Sequence, residues 1–143
     1  MTKHRIQIAA IILCASIWSG CSPAIQPARN NAVADTAIEE AFRNRKSNIH
    51  VEGEGVVTRI LPDDQEGSRH QKFIVRLPSG LTILIAHNID IAPRVEDLTE
   101  GDTIRFRGEY VWNKEGGLIH QTHHDPTGRR TSGQLIHNGQ TYQ

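Results

Sequence analysis

The chain has 143 residues, of which 37% are hydrophobic and 5% are aromatic, and its 16 basic and 16 acidic side chains balance. This length suits one domain and is too short for two once an N-terminal leader is removed. A net charge of zero excludes binding to nucleic acid or to an acidic membrane surface through the overall charge of the protein. Nucleic acid is therefore not an expected partner.

The first 20 residues have the three-part layout of a secretory signal. A short basic segment at residues 1–5 precedes an almost uninterrupted apolar run from Ile6 to Trp18, and small residues then lead to Cys21. The apolar run is too short for a permanent membrane-spanning helix, which takes about 20 residues. We therefore predict a cleaved signal peptide over residues 1–20 and export of the remaining chain.

The segment Ile17-Trp18-Ser19-Gly20-Cys21 resembles the lipobox of bacterial lipoproteins. In those proteins the cysteine is acylated and becomes the new N-terminus, which implies lipidation at Cys21 and a membrane anchor. Ser22 follows, and the absence of aspartate there resembles the pattern that sends such proteins to the outer membrane. The alternative is an ordinary signal peptide, which would leave Cys21 as an unpaired thiol in an oxidising compartment.

Two short segments precede the folded domain. Residues 21–34 contain two prolines and several small residues, which predicts a flexible tether. Residues 35–48 predict a short helix, because Glu39 and Glu40 come early and basic residues come near its end, as the helix dipole favours. Ile38 and Phe42 are four positions apart and are predicted to dock this helix.

Residues 49–143 contain several short runs with the period of two that a half-buried strand requires. The clearest run, Gly101 to Trp112, places Ile104, Phe106 and Tyr110 on one face, and Gly108 there predicts a bulge or a close approach of another backbone. Further strands are predicted at Val51 to Leu61, His70 to Leu77, Leu81 to Ala86, Leu118 to Thr122 and Gln134 to His137, with turns at Pro62 to Ser68, Pro78 to Gly80, Asn113 to Gly117 and Asn138-Gly139.

Five or six short strands, a curved first strand and a helical turn within Ile89 to Leu98 predict a mainly β fold. The expected architecture is a small barrel of the oligonucleotide/oligosaccharide-binding (OB) type, preceded by the short N-terminal helix. A small open β-sandwich is the alternative.

Four motifs carry a resemblance to a known family. They are Arg69-His70-Gln71-x-Phe73, His87 to Arg94, Gly108-Glu109-Tyr110-x-Trp112-Asn113, and Ile119-His120-x-Thr122-His123-His124-Asp125-Pro126. Together they resemble the bacterial domain of unknown function 3465 family over His50 to Tyr142. The resemblance implies an exported, OB-like protein and brings no activity with it.

One group of candidate functional residues is a cluster of histidines. His120, His123 and His124 lie within five positions and immediately precede Asp125. Neutral imidazoles and a carboxylate are suitable ligands for zinc or copper. On an extended strand His120 and His123 point to opposite faces, so a shared Zn or Cu ion requires the chain to turn here. The alternative is that these side chains bond loop backbone and close one end of the barrel.

A second group combines His70, His87, Asp90 and Arg94. Hairpin pairing would bring His70 and His87 to the same end of the barrel, where Asp90 would complete a ligand-binding or general-base cluster. Arg94 is predicted to anchor an anion or to pair with Asp90. The alternative is a structural histidine bonded to its neighbours.

Two functions from different classes remain. In the first, the protein is an envelope lipoprotein without catalytic activity whose barrel binds a small ligand or a protein partner at this His-rich end. In the second, the same His/Asp cluster serves a metal-dependent, nuclease-like hydrolase. We favour binding, because the sequence has no serine nucleophile elbow, phosphate-cradling glycine loop or dinucleotide fingerprint. The expected location is the periplasm, with a lipid anchor in the outer membrane.

Overall fold

The computed structural model describes residues 37–143. This part of the chain contains one helix and seven strands. They are α1 (residues 37–43), β1 (Ile49–Asp64), β2 (His70–Arg76), β3 (Thr82–Asn88), β4 (Thr103–Val111), β5 (Leu118–His120), β6 (Gln134–His137) and β7 (Gln140–Tyr142). The leader, Cys21, the tether and the first positions of the predicted helix lie outside the described residues.

Five of the strands close into a barrel. They follow the order β1-β2-β3-β5-β4, and β4 pairs back onto β1. All of these pairings are antiparallel except that of β3 with β5. The long β1 permits closure, because its first half pairs with β4 and its second half with β2, with a register shift between Val57 and Arg59 that curves the strand. The predicted OB-like barrel is therefore confirmed.

A hairpin formed by β6 and β7 extends the sheet beyond this ring, since β6 pairs with the first half of β4. Its turn consists of Asn138 and Gly139, with φ angles of 49° and 78°. Two consecutive positive φ values define the tight hairpin turn that the Asn-Gly pair predicts. The strand β7 itself was not predicted.

Inward-facing apolar residues of the strands fill the barrel. On β4, Ile104, Phe106 and Tyr110 are buried, as the alternation predicts. Gly108 lies among them, and a Cβ atom there would lie 2.5 Å from the carbonyl oxygen of His120. The predicted close approach of another backbone is thus that of β5.

The helix α1 packs on the same core. Ile38 is fully buried, and Phe42 packs against the core while remaining partly exposed. The indole Nε1 of Trp112 donates a hydrogen bond of 3.1 Å to the carbonyl oxygen of Phe42, which fixes the end of the helix to the end of β4. Within residues 37–143, no helix has the length and apolar character that a membrane span requires.

The connection from β3 to β4, residues 89–102, consists of turns and extended segments. It begins with one helical turn, in which the amide of Ala92 donates to the carbonyl oxygen of Asn88 at 3.2 Å. This turn was predicted, and it leads into the extended segment that carries Pro93 and Arg94 past the barrel end.

Candidate functional site

His87 is bonded to the fold through both of its ring nitrogens. The side chain is fully buried, with Nε2 2.9 Å from the carbonyl oxygen of Pro93 and Nδ1 2.8 Å from the hydroxyl of Thr122. A carbonyl oxygen only accepts, so Nε2 carries the proton and Nδ1 accepts from the threonine hydroxyl. Burial lowers the pKa of His87, which favours this neutral form. The ring therefore joins two loops, the structural role that was the alternative to ligand binding.

His70 lies at the same end of the barrel as His87, but on the other face of the sheet. The register pairs His70 with Asn88 and Gln71 with His87. Directly opposite residues of an antiparallel pair share a face, so His70 points outward while His87 points inward. The structure does not bring the two imidazoles together into one site.

Asp90 and Arg94 each have a different partner from the one predicted. Asp90 accepts hydrogen bonds from the amide of Arg69 at 2.8 Å and from its Nε at 2.7 Å, and these bonds lower the pKa of Asp90. Arg94 donates to both carboxylate oxygens of Asp63, at 2.6 and 3.1 Å. The predicted pairing of Arg94 with Asp90 is wrong, because β1 continues to Asp64 and brings Asp63 to the guanidinium.

The histidines of the predicted metal cluster have separate partners. His120 Nε2 lies 3.3 Å from a carboxylate oxygen of Glu109 on the outer face of the barrel. His123 Nδ1 lies 2.9 Å from the carbonyl oxygen of His124, and His124 Nδ1 lies 3.1 Å from the hydroxyl of Ser132. Within residues 37–143, no group of three or more His, Cys, Asp or Glu side chains is arranged to hold a metal ion.

Asp125, the fourth member of that cluster, organises the loop between β5 and β6. One carboxylate oxygen accepts from the hydroxyl and the amide of Thr127, at 2.8 and 3.1 Å, and the other accepts from the amide of Arg130 at 2.7 Å. The hydroxyl of Thr127, followed by the amide of Arg130, lowers the pKa of Asp125 to about 2. Both oxygens are thus bonded within the loop, and the Zn or Cu site stays a prediction.

A groove of about 320 Å³ lies on the outer surface of β1, β2 and β3, beside the turn between β4 and β5. No sequence motif pointed to it. Its lining includes Leu61, Ile74, Thr82 and Leu84 from the strands, and Asn113 and Glu115 from the turn.

The floor of this groove belongs to an apolar row across the outside of the barrel. Ile74 lies opposite Leu84, Leu84 opposite Leu118, and Leu118 opposite Val111, so the row crosses four strands. All four side chains are only half-buried. The outer face of a small barrel is normally polar, and a contiguous exposed apolar patch is typical of a binding surface.

The wall of the groove is the turn at residues 113–117, and its shape is fixed by hydrogen bonds. The side-chain oxygen of Asn113 accepts from the amide of Gly117 at 2.9 Å. The buried hydroxyl of Tyr110 donates to the carbonyl oxygen of Gly116 at 3.0 Å. The amide of Leu84 donates to the carbonyl oxygen of Gly117, also at 3.0 Å. The turn is therefore fastened both to the barrel core and to β3.

Sequence reasoning also missed His137. It is buried, with 2% of its surface exposed, and its Nε2 lies 3.0 Å from a carboxylate oxygen of Asp102, which also accepts from the amide and hydroxyl of Thr99. The available signal was the alternation of β6, which places His137 on the same inward face as Leu135. The bond connects β6 to the turn that precedes β4.

The closed five-stranded barrel and the groove outside β2 and β3 define a small OB-like barrel protein, with its groove at the surface where OB barrels generally bind their ligands. More particularly, the chain belongs to the family described as protein of unknown function DUF3465, whose family model matches residues 24–143. The resemblance seen in the four sequence motifs is confirmed. A search of curated proteins gave no match.

Proposed function

We propose that this protein is a binding module of the bacterial cell envelope, without catalytic activity, that holds a small ligand or a protein partner in the outer-face groove of its barrel. The observation that carries the proposal is the apolar row of Ile74, Leu84, Leu118 and Val111 beside a rigid turn. These side chains are only half-buried, so a ligand that covers the row would remove further apolar surface from water.

The groove is a better place for the ligand than the predicted His-rich end. There His87, Asp90 and Arg94 already bond to other groups of the chain, and the fold would lose these bonds if they turned to a ligand. A ligand on the aliphatic side chains of the groove would break no such bonds, because it would displace only water from them.

The N-terminal sequence supports an envelope location. Acylation of Cys21 would anchor the protein on the periplasmic side of the outer membrane, and residues 21–34 would serve as a tether. The alternative, a metal-dependent hydrolase, rests on the sequence cluster of His120 to Asp125, and no geometric observation favours it.

Photocrosslinking in cells tests the binding proposal. A photoreactive amino acid replaces Leu84 in the groove of the full chain and, as a matched control, Arg129, which is exposed in the loop between β5 and β6 and does not line the groove. We expect a defined adduct from position 84, none of the same mass from position 129, and loss of the adduct in Ile74→Glu. A folded protein whose position 84 gives no specific adduct, or one insensitive to Ile74→Glu, would contradict the proposal.

A further inference from the structure

We infer that the occupant of the groove is an extended peptide segment of a partner protein in which an acidic residue lies between aliphatic residues. The inference rests on the proposed function and adds the chemistry of the occupant. It follows from a second groove, from three cationic side chains and from the polar groups among the aliphatic ones.

The second groove, also of about 320 Å³, lies on the same outer surface and is lined in part by Val56, Thr58 and Arg76. Val56, 43% exposed, lies directly opposite Arg76 in the pairing of β1 with β2. Arg76 in turn lies opposite Thr82, which lines the first groove. Arg76 is an exposed residue of the second groove that adjoins the first groove through Thr82, so one extended chain that occupies both grooves would pass beside it.

Two more cations accompany Arg76 on this surface. Arg59 lies opposite Ile74, and Lys72 lies opposite Leu61, so each cation adjoins a residue of the first groove. Within residues 37–143, none of these three cations forms an ion pair or a side-chain hydrogen bond.

Within residues 37–143, no acidic side chain forms an ion pair with these cations, and the carboxylate of Glu100, beside Arg59, accepts from the amide of Ile60 at 3.3 Å. The strands β2 and β3 contain no acidic residue. Glu115 of the first groove pairs with Lys114 at 3.7 Å, and Glu54 of the second pairs with Arg105, also at 3.7 Å. The surface consequently favours an anionic group flanked by apolar groups.

The lining favours a peptide over the other anions with apolar parts. Thr103 in the second groove and Thr82 in the first place hydroxyl groups among the aliphatic side chains, whereas the hydroxyl of Thr58 already donates to the carbonyl oxygen of Ile74 at 3.3 Å. A peptide backbone needs hydrogen-bonding partners as it leaves water, whereas an acyl chain does not. Single-stranded nucleic acid would need exposed aromatic side chains, and the linings of these two grooves contain none.

The test is to select, from a random peptide library displayed on phage, the peptides that bind this protein. The protein is expressed as the full chain and used in the form to which the cell processes it. We expect the enriched peptides to share an acidic residue with aliphatic residues on both sides. Fluorescence anisotropy with an enriched peptide should show that Arg76→Glu weakens binding about tenfold or more, as expected for loss of a hydrogen bond between charged groups. The matched control Arg129→Glu, in the exposed loop between β5 and β6, should bind as the parent does, and replacing the peptide's acid with lysine should restore binding to Arg76→Glu.

Enriched peptides without a shared acid, or with equal affinity for Arg76→Glu, would overturn the inference. So would the finding that an oligothymidylate or vesicles of anionic lipid bind the groove through Arg76 while no peptide does. If position 84 still gives its groove-dependent crosslink in either case, the proposed function survives and only the peptide inference falls. If neither the peptide selection nor the crosslink from position 84 gives the expected result, the proposed function is contradicted as well.

Discussion

At the scale of single residues, the neutral ring of His87 couples the stability of the fold to pH. Burial, with smaller contributions from His123 and His70, lowers its pKa from an ordinary value of 6.5. As pH falls through 6.5 the unfolded chain takes up a proton on this ring, while the folded chain does so only at a lower pH. The stability that neutral His87 contributes is therefore complete above pH 6.5 and is lost as pH falls toward the lowered pKa.

We expect His87→Gln to destabilise the protein by about 2 kcal/mol above pH 6.5, because the glutamine leaves one of the two loop bonds unmade. The cost of the substitution should shrink as the pH is lowered, since the parent loses its advantage and the glutamine does not titrate. Urea unfolding of both proteins on either side of pH 6.5 measures this difference. A cost that stays constant with pH would show that His87 acts through packing alone.

At the scale of elements, the turn at residues 113–117 depends on the strand beside it. The hydroxyl of Tyr110 bonds the carbonyl oxygen of Gly116, and burial raises the pKa of this phenol, so it remains a donor across the physiological range. We expect Tyr110→Phe to cost about 1 kcal/mol of unfolding free energy and to loosen the wall of the groove. Hydrogen exchange at the amide of Leu84, which bonds the same turn, should accelerate.

Tyr142→Phe is the matched control for this prediction. Tyr142 is also buried, at 3% exposure, but its hydroxyl makes no hydrogen bond within the described part of the chain. Its substitution should leave exchange at Leu84 unchanged and should not alter the crosslink from position 84. Equal acceleration in both variants would mean that the turn responds to general loosening of the barrel.

The elements also show how far the sequence alone can predict this fold. A period of two identified the inward face of β4, because one side of the strand is almost wholly apolar. Turn chemistry located the hairpin at Asn138-Gly139. The end of β1 was placed too early, because Pro62 and two aspartates usually mark a turn, whereas here the strand continues to Asp64.

The groove and the ion pairs could not be predicted in the same way. Ile74 and Leu84 are visibly aliphatic at outward positions, but the row they form with Leu118 exists only because β3 pairs in parallel with β5. The partner of Arg94 likewise depends on the irregular end of β1, where Asp63 lies within a register shift between Leu61 and Asp64. Both features come from strand order and register, which local periodicity does not encode.

At the scale of the whole molecule, the proposed acylation of Cys21 would hold the barrel at a membrane surface. The tether predicted over residues 21–34 would reach roughly 20 Å, enough to let the barrel turn its groove toward a partner. One acyl chain holds a protein only marginally, so stable anchoring would require a second membrane-binding signal beside it.

We expect Cys21→Ser to abolish incorporation of radiolabelled palmitate and to move the protein from the membrane to the soluble periplasmic fraction. The barrel itself should be unaffected, because Cys21 precedes the folded residues, and the unfolding midpoint should match that of the parent. Cell fractionation and labelling of both proteins provide the measurement. If the parent carries no label and both proteins stay in the membrane fraction, the result would support an ordinary signal peptide. Membrane attachment would then have a source other than a lipid on Cys21.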